Sequence, residues 1–286
     1  MDGFEAAAEL LPGELCAAAL SLGKREKEQT EELRLRNGVP PTALLSEGER
    51  TFFPGRRVRQ EELYAVLDRA AQSSMQSVSD ELSGGYITSR YGIRVGVCGT
   101  LSDKTVTDVS SVCIRIPRQI RSAGESIVRE LTDRPRSVLL ISPPGGGKTT
   151  LLRELVRSVS DSGRRVALAD ERREVAAVFE GRAQFDVGRC TDVLSGGSKA
   201  KSALMLLRAM NPQVIAFDEI TAGEDVDAAE GICGCGVKLF ATAHAGNAGE
   251  LSRRGIYRHL LDLGVFECAV TITRRGRERQ YELTEL

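Results

Sequence analysis

A run of nine residues, Ser142-Pro143-Pro144-Gly145-Gly146-Gly147-Lys148-Thr149-Thr150, separates the apolar stretch Val138-Leu139-Leu140-Ile141 from a helical stretch over 149–159. No other feature restricts the fold as much. The glycines let the backbone curl so that successive N–H groups and the start of a helix point at a polyphosphate. Lys148 is placed to neutralise β/γ oxygens and the Thr149 hydroxyl to ligate Mg²⁺. All nine residues are therefore candidates for binding ATP. Ser142 stands where the strict phosphate-loop pattern begins with glycine, so only the loop's first position departs from it.

Such a loop needs an acidic partner from a neighbouring strand to complete a Mg²⁺ site. Val214-Ile215-Ala216-Phe217-Asp218-Glu219 supplies one. Four apolar residues put Asp218 at the carboxyl end of a strand, where open α/β sheets bind ligands. Thr149 and Asp218 are thus the metal candidates, and Glu219 is the candidate to position or deprotonate a water facing the γ-phosphate. Asp170-Glu171-Arg172-Arg173-Glu174 follows another apolar strand, 165–169. Its first two carboxylates, Asp170 and Glu171, are candidates to join the metal or water site, the alternative being a helix N-cap with a solvated charge run. Of two histidines, His244 ends the strand 237–242 and is a candidate γ-phosphate sensor, a hydrogen-bonded structural role being the alternative. His259 lies in a helical stretch and reads as structural.

The alternation of strand and helix after residue 134 indicates βαβ units and a mostly parallel sheet. The chain before it reads differently. A helical segment over 5–22 leads into a charged stretch over 24–32 that is expected to end in solvent. A strand at 33–36, a short strand near Leu44, an amphipathic helix over 60–73, a hairpin of 86–88 with 93–97, and a strand over 111–116 follow. The 286 residues are thus expected to form two domains, a smaller α+β domain over 1–133 and an α/β phosphate-loop domain over 134–286. The Arg134-Pro135-Arg136 region is the expected boundary.

Charge decides among partners. Lys and Arg total 39 against 40 Asp and Glu, so no bulk attraction to nucleic acid exists. The clusters Arg56, Arg57, Arg59 and Arg274, Arg275, Arg277, Arg279 support a nucleic-acid-dependent ATPase, but aromatics are 5% and tryptophan is absent, so stacking platforms are lacking. Nucleic acid is not the expected partner. A nucleotide-binding scaffold without turnover is the other alternative, and Glu219 argues against it. Seven scattered cysteines without a C-x-x-C pair give no zinc or disulfide pattern, which points to a reducing cytoplasm. No apolar run approaches a membrane span, and the first residues lack a signal-peptide pattern.

The motifs in their order resemble the stage III sporulation protein AA family, ATPases of endospore-forming bacteria related to type II and type IV pilus secretion ATPases. Besides the loop, the likeness rests on Gly85-Tyr86-Ile87-Thr88, Arg94-Val95-Gly96-Val97-Cys98-Gly99, Ser110 to Arg118, Asp170-Glu171-Arg172, Val187 to Leu194, Leu206 to Pro212, Asp218-Glu219-Ile220 and Ala241-Thr242-Ala243-His244. It departs at Ser142, at Pro117-Arg118-Gln119 where Ala-Arg-Glu is expected, and at Ser198-Lys199 where Pro-Lys is expected. The resemblance implies a RecA-like core, a homo-hexameric ring, and docking on membrane proteins of a sporulation channel complex. It also implies a peripheral, mother-cell-side location at the membrane. By the same analogy, Arg115 and Arg118 are candidate arginine fingers, with surface ion pairing as the alternative.

Overall fold

The computed structural model describes residues 3–45, 47–72, 82, 84–102, 105–117, 119, 121–251, 253–275 and 278–286. The chain divides into two compact units, Met1–Arg118 and Gln119–Leu286.

In the first unit, strands β1 (Thr30–Arg36), β2 (Thr42–Leu45), β3 (Gly48–Thr51), β4 (Tyr86–Thr88), β5 (Arg94–Ser102) and β6 (Thr105–Arg115) form a sheet in the order β3-β2-β1-β6-β5-β4. All its pairings are antiparallel. Residues alternate between buried and part-exposed along β1, so Leu33 and Leu35 enter the core while Arg34 and Arg36 do not. Helices α1 (Gly3–Glu9), α2 (Gly13–Leu20) and α4 (Gln60–Ala70) supply Phe4, Leu15, Leu63 and Val66 to the same core. The single helix expected over 5–22 is two, broken at Pro12-Gly13, where Gly13 takes φ +45°. The charged stretch after it makes a further helix, α3 (Lys24–Gln29), before β1 begins.

The second unit is built on strands β7 (Val138–Ser142), β8 (Val166–Asp170), β9 (Thr191–Ser195), β10 (Val214–Phe217), β11 (Lys238–His244), β12 (Cys268–Arg275) and β13 (Glu278–Glu285). Their order is β13-β12-β7-β11-β10-β8-β9, parallel throughout except for the antiparallel edge strand β13. Every residue of β7, β8 and β10 is buried, as continuous apolar runs require when both faces are covered. One face packs against α6 (Lys148–Asp161) through Leu151, Leu152, Leu155, Val156 and Val159. Each such side chain contributes about 1.5–3 kcal/mol on burial. Helices α7 (Lys199–Met210), α8 (Gly223–Gly234) and α10 (Gly255–Asp262) bury residues in a cluster with alternate residues of the same strands. A short helix, α9 (Ala248–Leu251), precedes α10.

The division falls after Arg118, not after Asp133. Helix α5 (Glu125–Asp133) buries Ile127, Val128 and Leu131 in the core of the second unit, and Thr132 Oγ1 lies 2.9 Å from Ser158 Oγ on α6. The Arg-Pro-Arg segment that reads as a linker is tied down as well, Arg136 donating to Glu130 and Glu285.

Candidate nucleotide site

Strand order assembles the site. Strands β7 and β10 flank β11, and register places His244 beside Ser142 and Ala241 beside Phe217. The residues following β7 and β10, and those closing β11, therefore meet at the carboxyl edge of the sheet. The loop after β7 turns through Gly145 at φ +72° and Gly147 at φ +108° and enters α6 at Lys148. Ser142 is fully buried and its hydroxyl donates to the Pro143 carbonyl at 2.9 Å. A Cβ at position 146 would lie 2.3 Å from that hydroxyl. Serine at the first loop position is thus accommodated because Gly146 leaves room for it.

Thr149 Oγ1 donates to Asp218 Oδ2 at 2.9 Å. The other oxygen, Oδ1, accepts from Thr242 Oγ1 at 2.5 Å and from the Glu219 amide at 3.1 Å. Thr242 Oγ1 in turn accepts from the Glu219 amide at 2.9 Å. Glu219 itself has φ +35°, a left-handed backbone at a non-glycine residue. Such strain persists where surrounding bonds fix it, here those from Glu219 N and that of Ile220 N to the Thr242 carbonyl.

Lys148 is 6% exposed, and its ammonium donates to the Ser142 carbonyl at 3.1 Å and lies 2.7 Å from His244 Nδ1. An ammonium has only donors, so Nδ1 accepts and the neutral ring carries its proton on Nε2. That nitrogen faces Glu219 Oε1 at 3.1 Å, while Arg172 Nη1 lies 3.7 Å from Glu219 Oε2. Burial holds the Lys148 ammonium below its usual pKa range, against the opposing pull of Asp218 and then Glu219. The loop lysine, His244 and Glu219 therefore form one chain of polar contacts. Pro144, Gly145, Gly147, Lys148, Thr149 and Thr150 line a cleft of about 340 Å³. Asp218, Glu219, His244, Arg172 and Arg279 also line it.

The remaining candidates separate. Glu171 Oε2 is 3.1 Å from Lys199 Nζ, which also reaches Asp225 Oδ2 at 3.2 Å. Glu171 lines a small pocket beside Asp218 and Glu219 but is held by Lys199. Asp170 is 2% exposed and accepts four backbone N–H groups, from Glu174, Val175, Ala176 and Ala177. Both of its carboxylate oxygens are engaged in capping the following loop. Arg115 belongs to the first unit, with Nε 3.4 Å from Glu32 Oε1, and Arg118 lies outside the described residues. His259 pairs with Glu230 at 2.8 Å. Arg56 and Arg59 pair with Glu62, and Arg57 donates to the Gly38 carbonyl, so this arginine cluster is engaged within the unit. Among the described residues no group of three or more His, Cys, Asp or Glu has the arrangement of a metal cage.

Sequence reasoning missed Thr242, Arg172 and Arg279. Thr242 and Arg172 sit inside motifs already recognised. Arg279 reads as one of a basic cluster, and nothing in the local sequence ties it to the phosphate loop.

The family model described as "Sporulation stage III, protein AA" matches residues 7–281. The chain is 31% identical over 279 residues to stage III sporulation protein AA of Bacillus subtilis, covering 93% of this chain and 90% of that one. Among solved structures, the Yersinia pseudotuberculosis ATPase DotB aligns with a TM-score of 0.66 at 16% identity, over 96% of this chain and 80% of the other. The pilus retraction motor PilT with bound ADP aligns with a TM-score of 0.65 at 18% identity, over 92% and 81%. These two likenesses establish the α/β phosphate-loop fold with its antiparallel N-terminal sheet.

Proposed function

The chain belongs to the sporulation stage III, protein AA, family, and on that premise we propose that it is a Mg²⁺-dependent ATPase that works as a homo-hexameric ring and powers a membrane-associated secretion channel during endospore formation. The observation that carries the reading is the convergence of Thr149 with Asp218 and of Lys148 with His244 and Glu219 at one sheet edge.

The donor set suits Mg²⁺. A hydroxyl and a carboxylate are hard oxygen ligands, and this ion usually takes only one or two protein ligands beside phosphate oxygens and water. Bound there, it would supply charge neutralisation for the β- and γ-phosphates. The protein's own groups do the rest. Lys148 exchanges the Ser142 carbonyl and His244 for phosphate oxygens, and the loop amides hold the chain of phosphates in line. His244, released from Lys148, keeps Glu219 aimed through its Nε2–H. Glu219 orients the attacking water and takes its proton as the bond to the β,γ-bridging oxygen breaks. Glu171, held by Lys199, supports this edge from the β8 side. Arg115 and Arg118 are proposed to complete the site from a neighbouring subunit. No helix among the described residues is long and apolar enough to cross a membrane; docking on membrane proteins at the mother-cell side is part of the proposal.

Mass measurement of the full chain with Mg²⁺ and a non-hydrolysable ATP analogue tests the ring. A hexamer is expected, and a monomer that binds the analogue at all concentrations refutes it. Phosphate release with and without single-stranded nucleic acid tests the partner. A large, steeply salt-dependent stimulation would turn the assignment towards a nucleic-acid-dependent ATPase.

A further inference from the structure

Arg279, on the antiparallel edge strand β13, reaches over the phosphate loop of its own chain. Its Nε donates to the Gly146 carbonyl at 3.0 Å. A Cβ on Gly147 would lie 2.8 Å from that Nε and 3.2 Å from Cδ, so the residue before Lys148 is bare where the arginine crosses it. The same side chain lines the cleft, and it has no carboxylate partner among the described residues. Nε engages the loop carbonyl, and the planar guanidinium still carries two amino groups able to meet an anion. The amides of such a loop cradle the α- and β-phosphates, whereas Lys148 serves the β/γ end.

We propose that Arg279 is a nucleotide-binding residue supplied in cis by the C-terminal edge strand, its guanidinium bridging the Gly146 carbonyl to an α- or β-phosphate oxygen. This rests on the nucleotide-binding reading of the cleft and adds to it a cation that no loop motif contains. A contact at that end of the polyphosphate is common to ATP and ADP. It therefore sets affinity for both, and product release with them, without selecting between them. His244 and Glu219 face the γ end and separate the two nucleotides. Lysine is a poor replacement, because one ammonium lacks the fork that spans two acceptors.

The test measures binding of ATP and ADP, with Mg²⁺, to the full chain and to Arg279→Gln, Arg279→Lys and Lys148→Ala, alongside melting temperatures with and without nucleotide. Arg279→Gln keeps a donor for the Gly146 carbonyl and removes the charge. The expected result is a loss of about tenfold or more for ATP and ADP alike, a smaller loss in Arg279→Lys, and an unchanged melting temperature of the nucleotide-free protein. Wild-type affinity in Arg279→Gln overturns the proposal. So does a fall in nucleotide-free melting temperature with the nucleotide-induced rise intact, since that marks a clamp on the loop alone. A wild-type chain that binds neither nucleotide defeats the functional reading itself, whereas binding that Lys148→Ala abolishes and Arg279→Gln preserves defeats only the role of Arg279.

Discussion

The two sheets bury their apolar residues in opposite ways, and the difference decides where chemistry can occur. In the first unit, strands such as β1 turn one face to the core and leave charged residues on the other. There, pairs such as Arg36 with Glu49 and Arg115 with Glu32 stand partly in solvent. In the second unit both faces of the parallel strands are covered, so polar groups concentrate at the carboxyl edge. Solvent-facing pairs of this kind are cheap and individually weak. Those at the carboxyl edge are partly desolvated, mutually bonded and held in fixed geometry, which is the condition for strong electrostatic effects.

Substitutions can break that contrast. The largest effect is expected for Glu219→Gln. Turnover should fall by roughly 10²–10⁴-fold while ATP binding persists, because the amide keeps the shape and loses the base. Steady-state phosphate release with parallel binding measurements checks it, and equal turnover would remove Glu219 from the reaction. Next is Asp170→Asn, which keeps one acceptor oxygen for four backbone donors. Denaturant unfolding should show a loss of about 2–4 kcal/mol, against little change if the loop can rearrange.

Arg115→Ala sharpens the comparison from the other unit. Its pair with Glu32 is 62% exposed on the arginine side, so stability should change by less than about 1 kcal/mol. Turnover of the assembled ring is expected to drop at least about tenfold. Unchanged turnover would leave Arg115 a surface pair.

The smallest effect is at Glu49. Its hydrogen bonds from Arg36 and Thr42 lower its pKa to about 2 from 4.5. A depressed carboxylate pKa stabilises the fold above the unfolded value, and that contribution fades as pH falls from about 4.5 towards 2. Glu49→Gln should therefore flatten this acid limb, with a cost under about 1 kcal/mol at neutral pH. An unaltered limb would show that the pair adds nothing.

The residues legible in the sequence share one property: their chemistry and their strand ending are written within a few positions. The phosphate loop follows β7 directly, Asp218-Glu219 follows β10, and His244 closes β11, so each could be placed at the sheet edge from local pattern alone. Thr242 could not be assigned to Asp218, nor Arg279 to Gly146, because those contacts depend on β11 lying between β7 and β10 and on β13 closing the far edge. Such order is a non-local property. The edge strands themselves were hidden by charge. In β12 and β13 the run from Thr273 through Gln280 lacks apolar side chains, while Cys268, Ala269, Val270 and Ile272 of the inner strand reach the core. Glu171 follows its strand directly, but its partner Lys199 lies 28 residues away. The domain boundary is hidden in the sequence for a related reason. Arg-Pro-Arg has a linker's composition, yet helix α5 before it carries an apolar face that is buried in the core of the second unit.

The central claim is that the buried carboxyl edge turns over ATP. The most direct measurement is phosphate release by the full chain from ATP and Mg²⁺, with Lys148→Ala as background. Release well above that background, lost when Mg²⁺ is chelated, is expected. Stoichiometric nucleotide binding with no release above background, in a ring shown to be assembled, would contradict the account.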